Sequence, residues 1–289
     1  MPRAGRPRRV VLAPDKFKGS LTAYEVAEAV AAGMRNAFPR LETILLPVAD
    51  GGDGTVAAAL SAGFDKIIVD TVGPTGEPVQ APYALQDDRA VVELAAVVGL
   101  TMLPGGRLDP MRSSTYGLGL VIADAIQRGA RTIVLGLGGS ASTDGGAGMI
   151  QALGARLTDS AGDPIPQGGG ALENLASIDL TALRKTLGST SVIVASDVNN
   201  PLLGPYGAAA VFGPQKGAEP AHIAALEQGL RHWSALVSEA MGHNDAERPG
   251  AGAAGGGRLR SIATAQRDNQ TRHRIDLGVD RLRPPDHRC

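Results

Sequence analysis

Three times in this chain a short apolar run ends in a loop of glycines and polar residues that then opens a helix, and no other feature constrains the fold as much. Arg9-Val10-Val11-Leu12-Ala13, closed by Pro14, reads as a buried strand. Thr22-Ala23-Tyr24-Glu25 is a capping box, and Val26, Val30, Met34 and Ala37 follow at helical spacing. Thr43-Ile44-Leu45-Leu46-Pro47-Val48 reads as the next strand, and residues 53–62 as a second helix closed by Gly63. Strand, capped helix and strand make a βαβ unit, which implies a parallel pair with a right-handed crossover. The fold class is therefore α/β.

Between Lys66 and Val92 the texture changes. Ile67-Ile68-Val69, Val79-Gln80-Ala81-Pro82-Tyr83 and Ala90-Val91-Val92 alternate with turns such as Gly73-Pro74-Thr75-Gly76, which predicts an antiparallel or mixed sheet inserted as a second domain. Beyond it the pattern predicts helices over 114–128, 147–153 and 220–241, and strands over 132–135, 155–158 and 191–195. From Arg258 the hydrophobic periodicity vanishes. The last segment holds eight arginines, no lysine and no aromatic residue, so disorder is expected there.

Charge and composition narrow the partners. The net charge of -1 lacks the basic footprint of a nucleic-acid binder, which leaves a small diffusible substrate. The lone cysteine, Cys289, fits a reducing compartment. The basic leader runs into an apolar stretch that stops at Pro14, too short for a signal segment or a membrane span. A soluble, cytoplasmic protein with no membrane partner is expected. With 39 glycines and 3% aromatics, backbone close to a ligand is a better expectation than stacked rings.

Five segments carry candidate chemistry. In Pro14-Asp15-Lys16-Phe17-Lys18-Gly19-Ser20, two lysines lie before a helix N-terminus, which suits a carboxylate or a phosphate; a solvated basic turn is the plain alternative. Ala49-Asp50-Gly51-Gly52-Asp53-Gly54-Thr55 sets two carboxylates among glycines, for orienting a hydroxyl or for a water-bridged Mg2+; an Asp cap in a tight turn would explain Asp53 but not Asp50. Residues 136–148 form the richest loop. Gly138, Gly139 and their neighbours can turn backbone N–H groups on phosphate oxygens, with Ser140, Ser142 and Thr143 as hydroxyl donors and Asp144 as a metal ligand or proton acceptor. It is not a Walker A loop, because no Gly-Lys-Ser/Thr follows. A rival uses the same residues: Gly136, Gly138 and Ala141 nearly match a dinucleotide fingerprint, with Asp159 as the ribose acid. Against that reading, a long loop precedes the helix. Ser196-Asp197-Val198-Asn199-Asn200-Pro201 is either a hydroxyl-orienting or metal-binding corner or an Asx-turn before proline. In Gly213-Pro214-Gln215-Lys216-Gly217, Lys216 either reaches a phosphate or sits in a surface turn. No histidine pair has metal-ligand spacing.

Taken in order, these segments resemble the bacterial-type glycerate kinase family: Ala13-Pro14-Asp15 with Phe17-Lys18-Gly19-Ser20, Ala49-Asp50-Gly51-Gly52, residues 136–148, Asp197-Val198 with residues 200–204, residues 213–218 and residues 249–256. Lys16, Asp53 and Ser142-Thr143 depart from the family's usual residues while keeping their polarity. The resemblance implies ATP-dependent phosphorylation of D-glycerate with Mg2+, and a Rossmann-like parallel-sheet domain with a second α/β domain of mixed sheet inserted into it. With the residue chemistry above, Asp197, Asp50 and Lys18 are expected in catalysis; Lys16, Ser20, Gly51, Gly52 and Asn200 at the substrate; Gly138, Gly139, Ser140, Ser142 and Lys216 at the nucleotide; and Asp144 at the metal. The expected division is 1–65 for the first part of the Rossmann-like domain, 66–245 for the insert, 246–257 for a glycine-rich return and 258–289 for a tail foreign to the family. The first domain then stays incomplete. A truncation or reading-frame shift near Gly257 would account for the tail. An inactive remnant of the family is the alternative to an active kinase, and a homodimer is expected.

Overall fold

β1 (Arg9–Leu12) and β2 (Glu42–Leu45) pair in parallel, with α1 (Ala23–Ala37) crossing between them. The structure is a computed structural model that describes residues 9–15, 17, 20–45, 54–196, 198–242 and 250–253. The capping box forms as expected: the Thr22 hydroxyl accepts from the Glu25 N–H at 3.2 Å, and the Glu25 carboxylate accepts from the Thr22 N–H at 2.7 Å. Leu12, Ala27 and Ala31 make a small core for this unit. One helix covers one face of two strands, so Val11, Tyr24, Val30 and Phe38 remain exposed.

The larger sheet has five strands in the order β3 (Asp65–Val72), β4 (Pro78–Gln86), β5 (Arg89–Glu93), β6 (Thr132–Gly136) and β9 (Ser191–Ala195). β3, β4 and β5 run antiparallel in sequence. β6 and β9 then add in parallel to β5. The mixed sheet expected from residue 66 onward is therefore observed. β7 (Arg156–Thr158) and β8 (Ser177–Asp179) form a separate antiparallel pair.

Alternation along the strands explains the core. Ala81, Tyr83, Val92, Ile133, Leu135 and Val192 are buried with Leu118 and Ile122 of α4 (Tyr116–Gln127), Met149 and Ile150 of α5 (Ala147–Ala152), and Leu226, Leu230 and Trp233 of α8 (Pro220–Met241). Each large side chain buried in this way contributes about 1.5–3 kcal/mol. α4 and α5 approach closely because residue 119 is glycine: a Cβ there would stand 2.3 Å from the Met149 carbonyl oxygen.

The opposite face of the sheet is covered by α2 (Thr55–Ser61), whose Val56 and Ala59 pack on Ala84 and Val91. Sequence order placed this helix in the first domain, whereas its apolar face is buried on the larger sheet. Helix and strand bounds otherwise shift by a few residues. The helix expected from Ser114 begins at Tyr116, because the Thr115 N–H and hydroxyl are held by a carboxylate from outside the helix. Residues 46–53, which include the end of the second expected strand, lie outside the described residues, as does the tail from residue 254.

Candidate active site

The parallel register sets Glu93, Gly136 and Ala195 abreast at the carboxyl ends of β5, β6 and β9. Ligands of open α/β sheets bind outside this edge. The loop after β6, residues 137–146, and the segment from Ser196 both leave from it. The start of α2 is held at the same edge by a residue that sequence reasoning passed over. Glu93 is buried, and one of its carboxylate oxygens accepts from the N–H groups of Gly54, at 3.0 Å, and Val56, at 3.1 Å. The positive end of α2 is thus already answered by a carboxylate from the sheet. A glutamate closing the apolar run Ala90-Val91-Val92 was the available signal.

The same device recurs at α5. Asp144 is fully buried. One carboxylate oxygen accepts from the N–H and hydroxyl of Thr115, each at 2.8 Å, and from the Gly148 N–H at 3.2 Å; the other accepts from the Gly146 N–H at 3.2 Å. One side chain therefore caps the N-termini of α4 and α5 together. The Thr115 hydroxyl also accepts from the Met149 N–H at 2.9 Å, so donors surround this carboxylate. Among the described residues no group of three or more histidine, cysteine or acidic side chains is gathered for a metal.

The hydroxyls of the loop also point inward. Ser140 and Ser142 are buried, with their Oγ atoms 2.9 Å apart, and the Ser142 N–H donates to the Ser140 Oγ at 3.1 Å. Gly138 is half-buried and Gly139 exposed, which makes them the outward tip. The Trp233 indole N–H donates to the Gly145 carbonyl at 3.1 Å and ties the far end of the loop to α8.

Lys216 lies beneath the loop and not in a surface turn. It is 2% exposed; its ammonium donates to the Ser142 carbonyl and approaches the Thr143 hydroxyl at 3.4 Å. Burial lowers its pKa to about 8, and the charge of Asp144 opposes part of that fall. A lysine this deep supports the loop from below, and sequence alone offers no sign of its depth.

The remaining expected residues divide. Ser20 is exposed and its hydroxyl donates to the Phe17 carbonyl at 3.1 Å. Asn200 is half-buried, and its amide donates to the Tyr206 carbonyl at 2.9 Å. The loop after it is fastened by Glu227 of α8, which accepts from the Gly204 N–H at 2.8 Å. Lys16, Lys18, Asp50, Gly51, Gly52, Asp53 and Asp197 lie outside the described residues. The dinucleotide reading fails on two counts. Residues 137–146 separate β6 from its helix, and Asp159 closes β7 in the separate small sheet, where its carboxylate accepts from the N–H groups of Ala161, at 2.9 Å, and Asp163, at 3.0 Å.

Residues 10–277 match the model of the Glycerate kinase family. The chain belongs to that family. It is 47% identical over 251 residues to the glycerate kinase of Bacillus subtilis, covering 86% of this chain and 66% of the relative. It is 44% identical over 252 residues to the glycerate 2-kinase of Escherichia coli, with the same two coverages of 86% and 66%. A crystal structure of a glycerate kinase 2 from Salmonella typhimurium LT2 superposes with a TM-score of 0.82 at 44% identity, covering 89% of this chain and 71% of that one. The chain thus spans about two thirds of the length of the curated relatives it matches. The family match continues past Gly257, into the segment that the sequence reading set apart as foreign. Among the described residues no helix is long and apolar enough to cross a membrane.

Proposed function

We propose that the chain catalyses ATP-dependent phosphorylation of D-glycerate at the carboxyl edge of β5, β6 and β9. The supporting observation is the alignment of Glu93, Gly136 and Ala195, which sets the start of α2, the glycine-rich loop 137–146 and the segment from Ser196 at one edge of one sheet. Phosphoryl transfer is mostly positioning and charge neutralisation, and loops clamped from beneath suit that task.

The nucleotide phosphates lie over the Gly138–Gly139 tip. Ser140, Ser142 and Lys216 act on them indirectly, through the shape of the loop. Lys18, with Lys16 and Ser20, neutralises the glycerate carboxylate or the moving phosphoryl group. Gly51 and Gly52 let backbone approach the substrate, and Asn200 borders it. A glycerate hydroxyl attacks the γ-phosphorus as the bond to the β,γ-bridging oxygen breaks. Its proton passes to Asp197, with Asp50 second in that role, and ADP leaves; a placed base of this kind is worth roughly two to four powers of ten in rate. Mg2+ belongs to the expected chemistry, but Asp144 does not fit it, because its carboxylate already accepts four hydrogen bonds. The protein works in the cytoplasm, as a homodimer.

A coupled assay on the purified chain with ATP, Mg2+ and D-glycerate tests this reading. ADP release that depends on glycerate supports it. Tight ATP binding without turnover points to the inactive remnant, and loss of both overturns the assignment.

A further inference from the structure

β3 ends the five-stranded sheet, and among the described residues no strand pairs with its outer side. Its side chains alternate. Ile67, Val69 and Thr71 turn toward the core, while Lys66, Ile68 and Asp70 are exposed, Ile68 at 47%. An exposed apolar residue in the middle of an edge strand is a template for pairing with another chain.

The phase of the ladder shows which backbone groups are open. The Gly73 N–H donates to the Glu77 carbonyl at 2.7 Å at the hairpin end. Antiparallel positions alternate between bonded and non-bonded pairs. Counting back along the register, Asp70 with Gln80, Ile68 with Pro82 and Lys66 with Ala84 fall at non-bonded positions. Pro82 agrees with this phase, since it has no N–H to give. The N–H and C=O groups of Lys66, Ile68 and Asp70 therefore face outward. At Val72 the edge closes, because α4 lies against it: a Cβ on Gly117 would stand 1.8 Å from the Val72 carbonyl oxygen.

We propose that β3 is a self-pairing edge, where two copies of this chain join antiparallel about Ile68 and Lys66 of each faces Asp70 of the other. Centred there, the two Ile68 side chains meet on the two-fold axis, and both ion pairs form on the same face of the joined sheet. A register centred on Lys66 sets lysine against lysine, and one centred on Asp70 sets aspartate against aspartate. Only the Ile68 register pairs opposite charges, so the edge specifies its own alignment. The Asp70 carboxylate already accepts from the amide of its cross-strand neighbour Gln80 at 2.9 Å through one oxygen, which leaves the second for the incoming lysine. This inference locates the homodimer and stands apart from the kinase reading, since its readout is mass.

Sedimentation velocity on the full chain across a dilution series is the test. The wild type is expected to double its mass with rising concentration, and added salt should weaken the association. Lys66→Glu and Asp70→Lys, each setting like charges opposite one another, should both sediment as monomers. The double variant K66E/D70K restores opposite charges and should dimerise again. Far-UV circular dichroism on each variant confirms folding; should one single variant unfold, the double variant and the other single one decide. A monomeric wild type, a dimer indifferent to the single reversals, or a folded double variant that stays monomeric would overturn the proposal.

Discussion

Replacing Lys216 by methionine keeps most of the side-chain volume and removes the charge, so the pH dependence of stability becomes a probe of the underside of the glycine loop. Lys216 is 2% exposed, and burial lowers its pKa from 10.5 to about 8. Below about pH 8 the amine is charged in the folded and unfolded chain alike, and the cost of burying that charge is constant. Between about 8 and 10.5 it is neutral when folded and still protonated when unfolded, so rising pH favours the folded state. Between pH 7.5 and 9.5 this linkage amounts to about 2 kcal/mol gained by the wild type relative to Lys216→Met. Urea denaturation followed by the fluorescence of the single tryptophan, Trp233, measures it at both pH values. Groups shared by the two proteins cancel in the difference. Lys216→Arg, charged throughout this range, should also lack the rise. Parallel stability curves for wild type and methionine variant would refute the reasoning, because they would mean that water reaches the amine.

Thr115→Val keeps shape but leaves the Met149 N–H unpaired and takes one donor from Asp144, so a loss of about 3 kcal/mol is expected in urea denaturation. Gly119→Ala inverts the usual helix preference: propensity favours alanine by about 1 kcal/mol, yet the Met149 carbonyl 2.3 Å from the new Cβ should make the variant melt lower. Asp197→Asn should lower kcat by at least about a hundredfold while KM for glycerate changes little, and an unchanged kcat would remove it from the role of base.

Much of the scaffold was legible along the chain. The Thr22 capping box, the parallel pairing of β1 and β2, and the full extent of α8 all follow from local pattern, because helix caps and hydrophobic period act over a few residues. The candidate site was legible only as a set of glycine-rich segments. Asp144 resembles a metal ligand in sequence because its partner, Thr115, lies 29 residues away. Lys216 resembles a surface lysine because the Ser142 carbonyl it serves is 74 residues distant. Glu93 stood out only as an acid closing an apolar strand, because the Gly54 and Val56 N–H groups it serves lie 39 and 37 residues back along the chain.

Sequence by itself settled that this is an α/β protein of the glycerate kinase family, with glycine loops following its strands, since those features rest on residue type and short spacing. Tertiary structure alone decided which polar groups face outward. A buried carboxylate or ammonium must find partners wherever the fold brings them, and those partners come from elements far apart in the chain. So Asp144, Glu93 and Lys216 hold the loops from within, and Gly138 and Gly139 are left facing out.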